Sequence, residues 1–300
     1  MTSNDMIEAR GGRLSGRTVV VTGASRGIGR AIAVACAGEG AAVAAVARTE
    51  QVWDERLPGT IHEVVDDIRS RGGTAMAIAA DLSQPGEVET ILDRTRAELG
   101  PVLGLVNNAA LTVPGRPNAT PRAAIPTAGK PLSASDVHSG PSFLSFPLRG
   151  LRQHFEIGLF ASYRLMQLAL PDMIAATTGA IVNISSMAGF IPGEGPYEPD
   201  ALLAPIAYGG NKAALHHLTQ VVAQQAQPYG VAVNVLSPSE PVLTPGNLLT
   251  AAGESNWASP EAFAEATVRL LVADPNRTTG QLLWSEDVLR PELGRRGWLR

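Results

Sequence analysis

Tyr208 and Lys212 stand four residues apart in Tyr208-Gly209-Gly210-Asn211-Lys212. On a helix this spacing sets both side chains on one face, within reach of a common ligand. Such a pair could move a proton. A free phenol has a pKa of about 10 and is a reluctant donor and acceptor near neutrality. An ammonium held nearby stabilises the phenolate and lowers that pKa. Upstream, Ser186 could hydrogen-bond the oxygen that receives the proton and hold it against the tyrosine. Ser185 is the weaker serine, and Tyr197 is a weak rival because position 201 is alanine. By itself Tyr-x-x-x-Lys is a common spacing, so its setting in the chain has to decide.

A second constellation is Thr22-Gly23-Ala24-Ser25-Arg26-Gly27-Ile28-Gly29. Glycines let a backbone turn sharply and approach a pyrophosphate, and a helix beginning there offers free N–H groups and partial positive charge. Its place between a first strand and a first helix separates it from an ordinary connecting turn.

These residues need elements to hold them. Apolar runs predict strands at 17–22, 41–47, 75–80, 102–106, 180–185, 231–236 and 281–284. Between them, helical periodicity covers 27–38, 61–71, 85–99, 151–174 with a bend at Pro171, 208–227 and 260–272. Strands that are apolar on both faces and alternate with helices predict a doubly wound α/β fold, with a mostly parallel seven-stranded sheet covered on both sides. The alternation has no linker, so one Rossmann-type domain over 1–300 is expected, with an N-terminal extension at 1–14 and a tail at 290–300. Two stretches rich in Pro and Gly, 112–150 and 192–205, read as long loops.

With its Gly-x-x-x-Gly-x-Gly spacing after Thr22, the loop resembles that of the short-chain dehydrogenase/reductase family. The likeness runs over roughly residues 15–285 and includes Asn107-Asn108-Ala109-Ala110, Ser185-Ser186, Tyr208 with Lys212, and Pro238 with Thr244. It implies that Ser186, Tyr208 and Lys212 form the catalytic group. Gly23, Ser25, Arg26, Gly27, Ile28, Gly29, Arg48, Asp81, Leu82, Asn108, Ala109, Pro238 and Thr244 are expected to bind a nicotinamide dinucleotide, with Tyr208 and Lys212 also touching it. Where NAD-binding sheets commonly end the second strand with an acid, Ala47 stands and Arg48 follows. A guanidinium suits a 2′-phosphate, and Arg26 could reach the same group. NADP(H) is therefore the expected cofactor.

Several positions depart from the family. The asparagine that holds a water in its proton relay falls at Gly158, which has no side chain to offer; His154, about a turn away, is a conceivable substitute. Ser239 replaces a usual glycine, Ala110 another, and Ser285-Glu286-Asp287 stands where Asp-Gly-Gly is common. The longer connections at 112–150 and between Ser186 and Tyr208 are expected to shape the substrate pocket.

The formal net charge is -4. It leaves no electrostatic footprint for nucleic acid or an anionic membrane. The single cysteine, Cys36, allows no intrachain disulfide, and no Cys/His cluster has metal-ligand spacing. The absence of a signal sequence or apolar span predicts a cytoplasmic protein. The expected activity is hydride transfer between NADP(H) and a ketone, aldehyde or secondary alcohol, on an uncharged and fairly apolar small molecule, by a homodimer or homotetramer. A cofactor-binding sensor or partner subunit is the second expectation, and an epimerase or lyase on the same scaffold the third.

Overall fold

The computed structural model describes residues 12–111, 143–144, 146–197, 205–250 and 257–293. Most of the predicted insert at 112–150 and part of 192–205 lie outside the described residues, as do most of both termini.

Seven strands form one sheet in the order β3-β2-β1-β4-β5-β6-β7, and every neighbouring pair is parallel. They are β1 (Thr18–Thr22), β2 (Ala42–Ala47), β3 (Thr74–Ala79), β4 (Val102–Asn107), β5 (Gly179–Ile184), β6 (Val231–Ser237) and β7 (Leu282–Trp284). Between them run α1 (Gly27–Gly38), α2 (Ile61–Ser70), α3 (Pro85–Leu99), α4 (Leu148–Phe155), α5 (Ala161–Ala175), α6 (Ile206–Ala226), α7 (Pro245–Thr250) and α8 (Pro260–Leu271). After β7 comes the short α9 (Ser285–Leu289).

Alternation along β1 explains the two-sided cover. Val19 and Val21 enter one apolar cluster with Ile32 of α1 and Phe263 of α8; Val20 enters another with Leu92 of α3 and Leu165 of α5. Burying each such side chain contributes about 1.5–3 kcal/mol, so neither face of the sheet tolerates a one-residue slip. Local signals set the helix starts. The Thr60 hydroxyl accepts from Glu63 N at 3.1 Å to cap α2, and Ser259 accepts from Ala262 N at 3.1 Å ahead of Pro260 in α8.

Element boundaries match the sequence expectation to within a few residues, with one exception. The long helix expected at 151–174 begins at Leu148 and is interrupted by a π-helical turn at Glu156–Phe160, while Pro171 lies inside α5. The break therefore surrounds Gly158. The short helices α7 and α9 carry too little periodicity to be seen in sequence.

Candidate active site

The chain builds β1, β2 and β3 outward in one direction, then crosses to build β4 through β7 in the other. Strand order reverses between β1 and β4, and in open parallel sheets the crevice beyond the C-terminal ends at such a point receives ligands. The residues expected to bind and react lie along this edge.

At the end of β1 the chain turns through Gly23 and Gly27, both at positive φ (67° and 55°). A Cβ on Gly29 would lie 2.2 Å from the Gly23 carbonyl oxygen, so only glycine lets α1 start this close to the loop. Asn108 clamps the turn from β4. Its Nδ2 donates to Thr22 O at 2.9 Å, while Asn108 N and Ala109 N donate to the Thr22 hydroxyl at 3.0 and 3.1 Å. Among the described residues no side chain caps the N-terminus of α1, and its first turn holds no acid. Its free N–H groups and partial positive charge thus remain available.

Two guanidiniums converge beside this turn. Arg26 is half-buried and donates to Thr49 Oγ1 at 3.3 Å and to Gly59 O at 3.2 Å, while its Nε is buried without a partner among the described residues. Burial depresses its pKa; Asp54 opposes that shift and Arg48 adds to it. Arg48 follows β2, is exposed, and approaches Asp81 Oδ2 at 3.5 Å. Asp81 follows β3 and accepts from Ser83 N and Oγ at 2.9 and 2.8 Å; these bonds and Arg48 outweigh burial and hold its pKa below the usual range. Leu82 beside it is buried.

On the other side of the switch point, α6 presents Tyr208 and Lys212. Lys212 is 2% exposed, and its Nζ donates to Ile184 O at 2.6 Å. The same nitrogen lies 5.6 Å from the centre of the Tyr208 ring. Burial brings the Lys212 pKa down to about 8 and pushes that of Tyr208 up, while a hydrogen bond with the Ser186 hydroxyl draws Tyr208 back down. Ser186 follows β5, and its Oγ accepts from Ala188 N at 3.2 Å. Gly209 permits the approach of the two elements, since a Cβ there would lie 2.6 Å from Ala188 O. His154 of α4 packs edge-on against Tyr208, with ring centres 6.4 Å apart.

The rival residues sit elsewhere. The Tyr197 hydroxyl donates to Gly193 O in an exposed loop. Ser185 is buried and shares a 2.6 Å hydrogen bond with His216, whose ring packs at a tilt against Phe190 with centres 4.5 Å apart. Sequence reasoning missed this His216 contact; its signal was a histidine one turn beyond Lys212. Burial and then Lys212 lower the His216 pKa from 6.5 to about 4. Between those values the unfolded chain binds a proton that the folded chain refuses. Stability is therefore expected to fall as pH drops through this window, with a shallower fall in His216→Gln. Thermal melts from pH 7 to pH 4 check this, and parallel curves for the two proteins would refute it.

Beyond β6, Pro238 leads to Ser239, whose substitution for glycine pairs with the second C-terminal departure. Ser239 N donates to Ser285 Oγ at 3.1 Å, and Glu286 N donates to Ser239 Oγ at 3.0 Å. The two departures therefore tie the start of α9 to the site edge. Thr244 accepts from Asn247 N at 3.1 Å, and its methyl would be 3.2 Å from a Cβ on Gly27, which brings it against the glycine turn. Cys36 is fully buried in α1, and burial pushes its thiol pKa up to about 12, as suits a core residue. Among the described residues there is no group of side chains that could hold a metal ion, and no helix is long and apolar enough to cross a membrane.

Comparison with known proteins bears on the family and the fold. The profile of the family described as short chain dehydrogenase matches residues 17–247. The 7alpha-hydroxysteroid dehydrogenase of Escherichia coli (strain K12) is 27% identical over 281 residues, spanning 90% of this chain and 93% of that protein. The L-fucose dehydrogenase of Rattus norvegicus is 31% identical over 230 residues, or 76% of this chain and 67% of that one. Among solved structures, a 3-oxoacyl (acyl-carrier-protein) reductase from Agrobacterium tumefaciens C58, with NADP bound, has a TM-score of 0.69 at 28% identity. That match covers 95% of this chain and 98% of the other.

Proposed function

The chain belongs to the short-chain dehydrogenase family, and from that premise we propose that it is an NADP(H)-dependent oxidoreductase acting on a ketone or aldehyde, or in reverse on a secondary alcohol. The observation that carries this reading is the convergence of Ser186, Tyr208 and Lys212 at the sheet edge that also holds the uncapped glycine turn.

The residues present fit a phosphorylated dinucleotide. Gly23, Gly27 and Gly29 form a turn that side chains would fill, Ser25 and Ile28 complete it, and the start of α1 offers unpaired N–H groups to a pyrophosphate. Arg26 and Arg48 bring two positive charges together, and an anion between them would relieve the repulsion. Asp81 and Leu82 would meet the adenine, Asn108 and Ala109 would line the groove, and Pro238 and Thr244 would border the nicotinamide. When bound, the nicotinamide supplies or takes up the hydride.

Every other task falls to this chain. Ser186 hydrogen-bonds the substrate oxygen and holds it against Tyr208. As negative charge grows on that oxygen, Tyr208 gives up its hydroxyl proton; in the reverse direction it takes the proton from the alcohol. Lys212, fixed by Ile184 O, stabilises the phenolate through its buried positive charge. An uncharged, fairly apolar substrate remains the reading from the composition of 112–150, most of which lies outside the described residues.

Fluorescence titration with NADPH and NADH, followed by absorbance assays with a panel of ketones and aldehydes, tests the proposal. NADPH preference with turnover supports it. Tight binding without turnover favours a cofactor-binding protein, and binding of neither nucleotide sinks it. In the same titration Arg48→Ala is expected to weaken NADPH about tenfold, the equivalent of one charge-assisted hydrogen bond, and to leave NADH within about twofold. Equal loss for both nucleotides would remove Arg48 from the 2′-phosphate.

A further inference from the structure

Asn211 lies in α6 between Tyr208 and Lys212 and is 1% exposed. Its Nδ2 donates to Ala207 O at a long 3.3 Å, and its Oδ1 is a buried acceptor with no donor among the described residues. A buried oxygen left unpaired is costly, and asparagine is a poor residue for a helix interior. Neither packing nor helix propensity accounts for it. The facing surface is Gly158, in the π-helical turn. A Cβ on residue 158 would lie 2.6 Å from Asn211 Oδ1 and 3.0 Å from Cγ. Asn211 thus occupies the space that a side chain at 158 would need, and a substitution there has to displace its carboxamide. π-Helical turns inside helices often mark functional positions.

We propose that Asn211 is a positioning residue whose Oδ1 holds the water through which protons re-enter the site beside Lys212 and Tyr208. This rests on the oxidoreductase reading. Asn211 is three residues after Tyr208 and Lys212 four, so each neighbours Tyr208 along α6. The Lys212 ammonium has three N–H donors and places one on Ile184 O. A buried water needs two or more polar partners; Asn211 Oδ1 offers an acceptor, and a remaining Lys212 N–H would be the donor. Each reduction moves one proton from Tyr208 to the substrate oxygen, so one proton per turnover must return from solvent to a half-buried phenol. The water held by Asn211 gives it an entry. The same water supports the charged form of Lys212, which in turn supports the phenolate.

The test compares wild type, Asn211→Leu, which keeps the volume and removes the acceptor, Gly158→Asn, and the double variant Gly158→Asn/Asn211→Ala. Asn211→Leu is expected to lower kcat about tenfold or more, with KM and NADPH affinity within about twofold and a larger solvent deuterium isotope effect on kcat. Gly158→Asn alone is expected to melt at lower temperature, because its side chain meets Asn211. The double variant is expected to regain both melting temperature and kcat, because the carboxamide then enters from the opposite side. A second readout needs neither substrate nor nucleotide. The phenolate absorbance of Tyr208, isolated by subtracting Tyr208→Phe, is expected to titrate at higher pH in Asn211→Leu. A Tyr208 titration unmoved by Asn211→Leu overturns the proposal, whether or not turnover is found. A drop in melting temperature with kcat and isotope effect unchanged also overturns it, because that is what packing alone produces. A wild type that turns over no carbonyl counts instead against the oxidoreductase reading.

Discussion

Tyr208→Phe is expected to lower kcat/KM by about 10²–10⁴-fold, the range over which a positioned acid or base contributes to a rate, while NADPH affinity stays within about twofold. The substitution is narrow. Phenylalanine keeps the ring, and so keeps the edge contact with His154 and the position beneath Lys212. It removes only the hydroxyl that hydrogen-bonds Ser186. Loss of turnover with normal binding would therefore be a loss of proton transfer. The pH profiles carry the same information with opposite signs. Alcohol oxidation needs the phenolate and is expected to rise with pH, whereas carbonyl reduction needs the phenol and is expected to fall. Turnover in Tyr208→Phe equal to wild type would move the acid/base role to another group.

Lys212→Met is expected to give the second large effect, a loss of about 10²-fold or more in kcat coupled to a pH-dependent change in stability. Burial takes the Lys212 pKa from 10.5 to about 8. A charge is thus held in the folded protein at a cost of about 3 kcal/mol, since each tenfold loss of proton affinity is worth about 1.4 kcal/mol. Below pH 8 both folded and unfolded chains carry the proton, so the cost is fully present. From pH 8 to 10.5 the folded chain releases its proton first, and the cost lifts. Wild type should therefore gain stability relative to Lys212→Met over that interval. At neutral pH the variant escapes the buried charge but leaves Ile184 O without its donor, which costs about 1–3 kcal/mol. The two nearly offset. Urea unfolding of both proteins at pH 7 and pH 10 measures the difference, and groups common to both cancel. A gap independent of pH would mean that Lys212 is not held as a buried charge.

Such a residue explains why part of the site was legible in sequence. Tyr208 and Lys212 could be paired because helical spacing is a local rule, and the glycine turn because positive φ and close approach are demands that glycine alone meets. The strands β1 through β6 could be read because they are nearly uniformly apolar and, apart from the edge strand β3, mostly buried on both faces, and the sheet follows from their alternation with helices. Arg48 could be singled out by its place after a strand. What these features share is that cause and signal lie within a few residues of one another.

Gly158 shows where that reading stopped. In sequence it was a missing side chain in a helix, with His154 as its conceivable substitute. The fold replaces that helix interior with a π-helical turn, sets His154 against the Tyr208 ring, and fills the gap at 158 with the carboxamide of Asn211 from α6. Residues 158 and 211 are brought together by packing, and no local pattern in either segment announces the other. The same holds for Ser239 with Ser285, and for Ser185 with His216. The strands, the helices and the Tyr208–Lys212 spacing are legible along the chain because backbone preference and hydrophobic periodicity are local. Which departures meet one another is visible only in the fold, because a contact between distant segments exists only once both have been packed onto the same sheet.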